Sequence, residues 1–315
     1  MNWTDTFIKR LYPMYKKDLD IENAYLLKYK NLPYSLFKYR EVNKFSINNL
    51  LNDSVWLLNP TEFNDPYDSS FTYDFTSYGV KNVDKFLSNY STAEFSKKEI
   101  QRIKQCEDSF QEMNLIIREN AKPEEKIMLD KIGKLLLSKM QKNLYQDFNI
   151  QIKNSFRICS FSTINTSLLM WGHYAKNHTG FCIEYDTGSL EYNSLQRQLY
   201  PIIYTDTLFD TTKYQNIDLK DMNNLHLMLS ALYKSKEWQY EKEWRLIIHG
   251  GINIENHIMP KPKAIYLGSQ INNDNKEELV KIAKYKNIPI FQMELDSNKF
   301  KLNIKTMQES NKPLK

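Results

Sequence analysis

Two carboxylates separated by one residue stand beside a cation near position 240 of the chain. Glu241 and Glu243 precede Arg245 in a stretch that alternates between polar and apolar side chains as far as Ile248. Residues two apart in a strand share a face, so the alternation predicts one strand with these three charged side chains on the same face. A carboxylate can stabilise positive charge at the anomeric carbon of a sugar. The pair is therefore a candidate catalytic site, and a solvated strand face with cross-strand ion pairs is the alternative.

Two other predicted strands end in side chains that can bind phosphate or hydroxyl groups. Arg40 ends a short strand, and arginine binds phosphate through a planar fork of donors. Ser160 and Ser162 share one face of a later strand, where hydroxyls can orient a carboxylate or a ribose. If these strand ends meet the two glutamates, one cleft would hold groups for phosphate, sugar and anomeric-carbon chemistry. Plainer interpretations stay open, because serine hydroxyls often bond to the backbone and Arg40 can pair with Glu41 or with an acidic loop.

Histidines and cysteines form no recognisable metal-binding motif in this sequence. His173 and His178 are five residues apart, a spacing that does not bring both rings to one side of a helix, and HExxH is absent. Cys106, Cys159 and Cys182 are odd in number and include no CxxC pair, which is typical of a reducing compartment. We therefore expect no metal, and we expect His173 to be structural or to contact a ligand.

Composition excludes several classes of function. The 315 residues include 43 basic and 38 acidic side chains, a balance of +5 that is too small to indicate nucleic-acid binding by itself. There are 8 glycines, and neither GxGxxG nor GxxxxGK[ST] occurs, so Rossmann and P-loop sites are not expected. The first residues lack a signal pattern, and no apolar run approaches the roughly 18 residues of a membrane span. We expect a cytoplasmic protein with no membrane partner.

The pattern of strands and irregular helices predicts an α+β protein rather than a regular βαβ alternation. We expect a single domain over 1–306, with a helical insertion at about 82–153 and a flexible tail at 307–315. The insertion should contain two long helices, the second beginning at Pro123. Strands are predicted at 36–40, 55–58, 156–162, 181–186, 200–204, 241–248, 264–267, 289–295 and 299–304, and other helices at 43–51, 167–176, 221–236 and 276–286.

Six short segments together resemble a bacterial family named domain of unknown function 2971. They span residues 37–246, and as a set they are specific, but the family name implies no activity. The segments are FKYR at 37–40, EFNDPYD at 62–68, CSFS at 159–162, MWGHYA at 170–175, GFCIEYD at 180–186 and YEKEWRL at 240–246.

A second resemblance is carried by the order of an arginine, a Ser-Thr pair and Glu-x-Glu along the chain. This order is similar to that of the arginine–serine–glutamate class of ADP-ribosyltransferases. The resemblance implies a mixed, mostly antiparallel sheet and NAD as the substrate. It implies that Arg40 holds the phosphates or ribose of NAD and that Ser162 supports Glu243. Glu243 would engage the nicotinamide ribose as the catalytic residue, and Glu241 would help to activate the acceptor.

The resulting expectation is a bacterial enzyme that cleaves NAD, as a toxin or a phage-defence effector. It would transfer ADP-ribose to a protein or nucleic-acid acceptor, or hydrolyse NAD. Nicotinamide would stack on Tyr39 or Tyr174, with Ser160 and His173 completing the binding site. The alternative is a non-catalytic sensor or binding module for a nucleotide or a phage component, in which the two glutamates anchor the fold. A nucleic-acid-processing enzyme is not favoured, because the basic residues are diffuse.

Overall fold

The structure, a computed structural model, describes residues 2–73, 95–188, 194–214, 217–218, 220–250 and 255–307. It is an α+β fold with a mixed, mostly antiparallel sheet, as the sequence predicts. The strands are β1 Ser35–Arg40, β2 Ser54–Trp56, β3 Phe71–Thr72, β4 Phe156–Ser162, β5 Phe181–Asp186, β6 Leu199–Pro201, β7 Ile203–Thr205, β8 Phe209–Asp210, β9 Tyr233–Ser235, β10 Glu243–His249, β11 Asn256–Ile258, β12 Ala264–Leu267, β13 Ile290–Leu295 and β14 Leu302–Thr306.

Within the described ranges, no helix is both long enough and apolar enough to cross a bilayer. The α-helices are α1 Trp3–Leu11, α2 Ile21–Lys30, α3 Lys44–Leu51, α4 Lys97–Gln105, α5 Ser109–Asn120, α6 Pro123–Asn154, α7 Leu168–Tyr174, α8 Ser194–Gln198 and α9 Asn273–Lys286. Short 3₁₀ helices occupy Lys16–Asp18, Pro60–Glu62, Thr212–Tyr214, Asn224–Ala231 and Lys236–Glu241.

The central sheet has eight strands in the order β14-β13-β12-β5-β1-β4-β10-β6. Among these described strands, only the β12–β13 pair is parallel. Three small two-stranded ladders, β11–β2, β3–β8 and β7–β9, lie outside it. Because β1, β4 and β10 are neighbours, residues at the end of β4 and the start of β10 are brought beside β1.

Alternation of side chains along β4 and β10 gives the sheet one apolar face at its centre. Cys159 and Phe161 lie in the main hydrophobic cluster with Trp244 and Leu246 of the neighbouring strand. Each of the larger apolar side chains contributes about 1.5–3 kcal/mol when fully buried. The opposite face of the same two strands carries Ser162 and the charged residues of β10, so the predicted division into faces is confirmed for the strand residues.

The sheet opens between β1 and β4. Their only register pair is Phe37 with Ser162, whereas β1 follows β5 over its whole length. Further along, β4 exchanges backbone hydrogen bonds with Leu58 through Ile158 instead. Lys38 reaches into the opening and donates to the carbonyl oxygen of Ser160 at 2.8 Å. A cavity therefore forms where two adjacent strands of the sheet diverge.

The helix predicted at 221–236 is wrong. The chain forms a 3₁₀ helix at Asn224–Ala231, then β9, then a second 3₁₀ helix at Lys236–Glu241. Strand β9 pairs in parallel with β7, and this tertiary pairing overrides the local helical spacing. The predicted strand at 241–248 is also too long at its start, because Lys242 is left-handed with φ 46° and β10 begins only at Glu243.

Local signals elsewhere set the element ends well. Asn43 caps α3 through its side chain, and Pro123 is the first residue of α6. The predicted pair of inserted helices is three in the described part, because Asp108 caps a separate α5 after a break at Cys106. Residues 74–94 and 308–315 lie outside the described residues, and with them the start of the predicted insertion and most of the predicted tail.

Two predicted elements are shorter than expected. The helix predicted at 167–176 is α7, which ends at Tyr174 before three left-handed residues, Lys176, Asn177 and His178. The strand predicted at 200–204 is divided at Ile202 into β6, which joins the central sheet, and β7, which pairs with β9. In both cases the chain turns to make a contact that is distant in sequence.

Candidate functional site

A cavity of about 970 Å³ lies at the opening between β1 and β4. This volume is large enough for a drug-sized or nucleotide ligand. All eight residues predicted for the site line it: Tyr39, Arg40, Ser160, Ser162, His173, Tyr174, Glu241 and Glu243. The structure thus brings the predicted residues to one concave surface, although they do not have the contacts that the sequence suggested.

Glu243 is held by two cations and has little freedom to contact a ligand. Glu243 is only 3% exposed. One carboxylate oxygen accepts from Nε of Arg245 at 2.7 Å, and the other accepts from Nζ of Lys234 at 2.8 Å. Burial by itself would raise the pKa of Glu243, but these two cations outweigh burial and hold its pKa well below the usual value. Glu243 is therefore an ionised anchor inside the protein.

Arg245 extends this anchor to the loop before β3. Its guanidinium makes a bidentate pair with Asp68, with Nη1–Oδ1 at 2.8 Å and Nη2–Oδ2 at 2.6 Å. It also donates to the carbonyl oxygen of Ala231 at 2.7 Å. Arg245 is fully buried, and breaking such a buried pair leaves an uncompensated charge. The contact fixes the loop 59–68 against the sheet and closes one side of the cavity.

Lys234 links the two glutamates and was not predicted from the sequence. Its Nζ contacts Oε2 of both Glu241 and Glu243 and lies 3.7 Å from Oδ2 of Asp68. Burial lowers the pKa of Lys234, but the surrounding carboxylates outweigh burial and leave it raised. The side chain comes from β9, in a segment whose local pattern predicts a helix, so no local signal indicated its role. Asp68 was predicted only as a turn residue.

Glu241 differs from Glu243 in both position and electrostatics. It ends a 3₁₀ helix rather than lying on the strand, and the left-handed Lys242 separates it from β10. Its second carboxylate oxygen accepts from the hydroxyl of Tyr174 at 2.5 Å. Burial and the negative charge of Glu243 both raise the pKa of Glu241. Lys234 lowers it, but the net result is a raised pKa.

Ser162 does not orient Glu243 through its hydroxyl. The Oγ donates to the backbone carbonyl of Glu241 at 2.7 Å and accepts from the backbone N–H of Ile164 at 3.2 Å. Ser162 is directly opposite Glu243 in the β4–β10 register. The expected support of the Glu243 carboxylate is therefore corrected: Ser162 fixes the turn that carries Glu241.

Arg40 reaches the cavity from the other face of the sheet. In the registers of β1, β4 and β10, Phe37, Ser162 and Glu243 are directly opposite one another, so Arg40 shares its face with Leu36 instead. The divergence of β1 from β4 lets both faces contribute to one cavity. Nη2 of Arg40 is buried and has no hydrogen-bond partner in the part of the chain that the structure describes. The alternative pairing of Arg40 with Glu41 is absent among the described contacts, where Glu41 lies near Lys176 and accepts from Asn43.

The aromatic residues predicted to stack on nicotinamide are largely engaged by the protein. Tyr39 is 5% exposed, donates its hydroxyl to the carbonyl oxygen of Ile164 at 2.8 Å and packs edge-on against Trp171. The ring of Tyr174 lies 6.3 Å from that of His173, and its hydroxyl holds Glu241. Tyr174 and His173 therefore present a polar wall of the cavity more than an open stacking surface.

The remaining predicted residue, Ser160, contributes through its backbone, since its carbonyl oxygen accepts from Lys38. Within the described ranges, no group of three or more His, Cys, Asp or Glu side chains has an arrangement suited to a metal ion. Glu243 and Asp68, two carboxylates at the cavity, are paired with lysine and arginine. The chemistry open to these residues is thus anion binding by Arg40 and acid–base work by Glu241.

One family profile matches a part of the chain that contributes to the cavity. Comparison with curated proteins and with solved structures gave no significant match. The matched part, about a quarter of the chain, includes β5, α7, β9 and the start of β10, and it holds Tyr174, Lys234 and both glutamates but not Arg40. Residues 170–246 of the chain match the sequence profile of a family described as a protein of unknown function, DUF2971.

Proposed function

We propose that the protein binds NAD in the cavity between β1 and β4 and cleaves its bond to nicotinamide. ADP-ribose would then pass to a macromolecular acceptor or to water. One observation carries the proposal: the unpartnered guanidinium nitrogen of Arg40 and the Glu241–Tyr174 pair line the same cavity. The first is suited to a phosphate group, and the second to a reacting sugar.

The contacts support a catalytic role for Glu241 rather than for Glu243. Two glutamates with pKa values displaced in opposite directions are a common division of acid–base roles. Glu243 is ionised, and Arg245 and Lys234 bind both of its carboxylate oxygens, so it stabilises the position of Glu241. Glu241 has a raised pKa, which suits a group that takes up a proton at neutral pH.

The bond between the ribose anomeric carbon and the nicotinamide nitrogen breaks, and its electron pair leaves with nicotinamide, which becomes neutral. Positive charge develops on the ribose, where the nearby Glu241 carboxylate stabilises it. An acceptor nucleophile or water then bonds to the anomeric carbon, and its proton passes to Glu241. Arg40 would hold the phosphate groups throughout.

The test is release of nicotinamide from NAD, followed by chromatography, with and without a cell-extract protein fraction as acceptor. We expect the wild-type protein to release nicotinamide and Glu241→Gln to reduce the rate by at least about 100-fold, the effect typical of a lost acid–base group. Tyr174→Phe should reduce it less, since the carboxylate remains. Glu294→Gln is the matched control, because Glu294 pairs with Lys305 on the surface strand β13.

Equal rates for wild-type protein and Glu241→Gln would contradict the assignment of Glu241. No release by wild-type protein under either condition would remove the enzyme from consideration. Circular dichroism of each variant checks that the loss of activity is not a loss of fold.

A non-catalytic nucleotide-binding module is the second candidate, favoured by the state of Glu243. Both of its oxygens are engaged by buried cations, as expected of a structural anchor. Under this alternative, NAD or ADP-ribose binds to the cavity without release of nicotinamide. Calorimetric binding with no turnover would select it over the enzyme.

A further inference from the structure

Lys38 and Arg40 are two cations on the same side of β1, and both line the cavity. Residues two apart along a strand are separated by about 7 Å. Because β1 diverges from β4 beyond Phe37, both residues border the opening between these two strands. The strand thus presents two positive charges in a row along one edge of the cavity.

Neither cation is neutralised by a carboxylate within the described part of the chain, in contrast to Lys234 and Arg245. Nζ of Lys38 donates to the carbonyl oxygen of Ser160 and lies 5.7 Å from the ring centroid of Phe161. Nη2 of Arg40 is buried without a partner. A buried donor of a charged group is costly when it is left unsatisfied, so the arrangement indicates an anionic ligand.

We propose that Lys38 and Arg40 together form a subsite for a diphosphate group. Two cations spaced along a strand match two linked phosphates better than one phosphate, since each phosphate can take its own donor. Lys38 becomes a binding residue beside Arg40. The inference deepens the proposed function by naming the group that anchors the substrate, and it rests on that function only for the identity of the whole ligand.

The environment of Lys38 favours an anion over a neutral ligand. Burial lowers the pKa of Lys38, and the positive charge of Arg40 lowers it further. Cys159 and Glu243 act in the opposite direction. A bound diphosphate would supply the negative charge that the ammonium lacks. The subsite would therefore stabilise the charged form of Lys38 when it is filled.

The test is isothermal titration calorimetry of the full chain with inorganic pyrophosphate and with inorganic phosphate. We expect wild-type protein to bind pyrophosphate at least about tenfold more tightly than phosphate, given the strength of charge-assisted hydrogen bonds. Lys38→Met should lower pyrophosphate affinity by about 10- to 100-fold and phosphate affinity much less. Arg40→Met should weaken both, and Lys38→Arg should retain the preference.

Lys305→Met is the matched control, because this lysine pairs with Glu294 on the surface, at the edge of the sheet that is formed by β14. Lys38→Gln is measured alongside Lys38→Met, and circular dichroism confirms that both are folded. Equal wild-type affinities for the two anions, or an unchanged pyrophosphate affinity in the folded Lys38 variants, would overturn the subsite. Pyrophosphate binding needs no bond cleavage, so a failure of NAD turnover leaves this result independent.

Discussion

Glu241 and Glu243 are separated by one residue, yet their carboxylates have different partners. Glu243 is bound by Arg245 and Lys234, whereas Glu241 shares Lys234 and adds the hydroxyl of Tyr174. Both residues line the cavity, but cations engage both oxygens of the Glu243 carboxylate, whereas one oxygen of the Glu241 carboxylate accepts from a tyrosine hydroxyl. A short Glu-x-Glu pattern does not by itself tell which of its members is free to react.

At the residue scale, we predict that Glu243→Gln lowers the free energy of unfolding by about 3–5 kcal/mol at pH 7, the cost of breaking a buried ion pair. The pKa of Glu243 is lower in the folded protein than its ordinary value of 4.5. Its stabilising contribution is therefore fully present above that value and is lost as pH falls towards the lowered pKa.

Urea unfolding of wild-type protein and of Glu243→Gln at pH 7 and at about pH 3 measures this effect. The difference between their free energies of unfolding should shrink at the lower pH. Glu241→Gln is the matched variant. The pKa of Glu241 is raised in the folded protein, so ionisation of Glu241 does not stabilise the folded state. Glu241→Gln should therefore lower the free energy of unfolding at pH 7 by less than Glu243→Gln does. Equal costs for the two variants would contradict the division of roles.

The elements around the cavity are positioned by close backbone contacts. Gly180 lies between α7 and β5, where a Cβ atom would stand 2.1 Å from the carbonyl oxygen of Arg40 and 2.9 Å from that of Ala175. No side chain fits there without moving the end of β1. The same small residue therefore lets α7, which carries Tyr174, approach the strand that carries Arg40.

At the element scale, we predict that Gly180→Ala displaces the end of β1, destabilises the protein and weakens pyrophosphate binding at least about tenfold through Arg40. Gly172→Ala is the matched control on α7, because a Cβ atom at Gly172 meets nothing within 4 Å. That substitution should stabilise the helix by about 0.5–1 kcal/mol and leave binding unchanged. Thermal unfolding and calorimetry measure both; unaltered binding by Gly180→Ala would show that β1 is not held by this contact.

At the scale of the whole molecule, one buried lysine connects α2 to the edge of the central sheet that is formed by β6. Nζ of Lys28 on α2 donates to the carbonyl oxygens of Gln196, Arg197 and Leu199, each at 2.9 Å. The rings of Tyr25 and Tyr200 lie 4.5 Å from the same nitrogen. These contacts connect α2 to α8 and to the edge strand β6.

We predict that Lys28→Met lowers the free energy of unfolding by about 3 kcal/mol, because three carbonyl oxygens lose their donor in a buried setting. Lys30→Met, on the exposed side of the same helix, is the control and should change stability by less than about 0.5 kcal/mol. Denaturant titrations give both values. A Lys28→Met protein as stable as the control would indicate that packing of the tyrosines alone holds the helices.

The sequence by itself determined the features that depend on neighbours along the chain. Alternation predicted which side chains of β4 and β10 share a face, and Pro123 indicated the start of α6. It also indicated the residues that line the cavity, because strand ends with polar side chains are local patterns. Period-two geometry and capping act within a few residues, so they can be read without knowing the fold.

Only the tertiary structure decided which charges meet. Lys234 and Asp68 join Glu243 and Arg245 from β9 and from a loop far away in the chain, and no local pattern marks them as partners. The divergence of β1 from β4, which places Arg40 and Glu241 at one cavity, likewise depends on the pairing of β4 with Leu58. Burial and ion pairing are set by distances in the folded protein. These distances make Glu243 an anchor and leave Nη2 of Arg40 without a hydrogen-bond partner among the described residues.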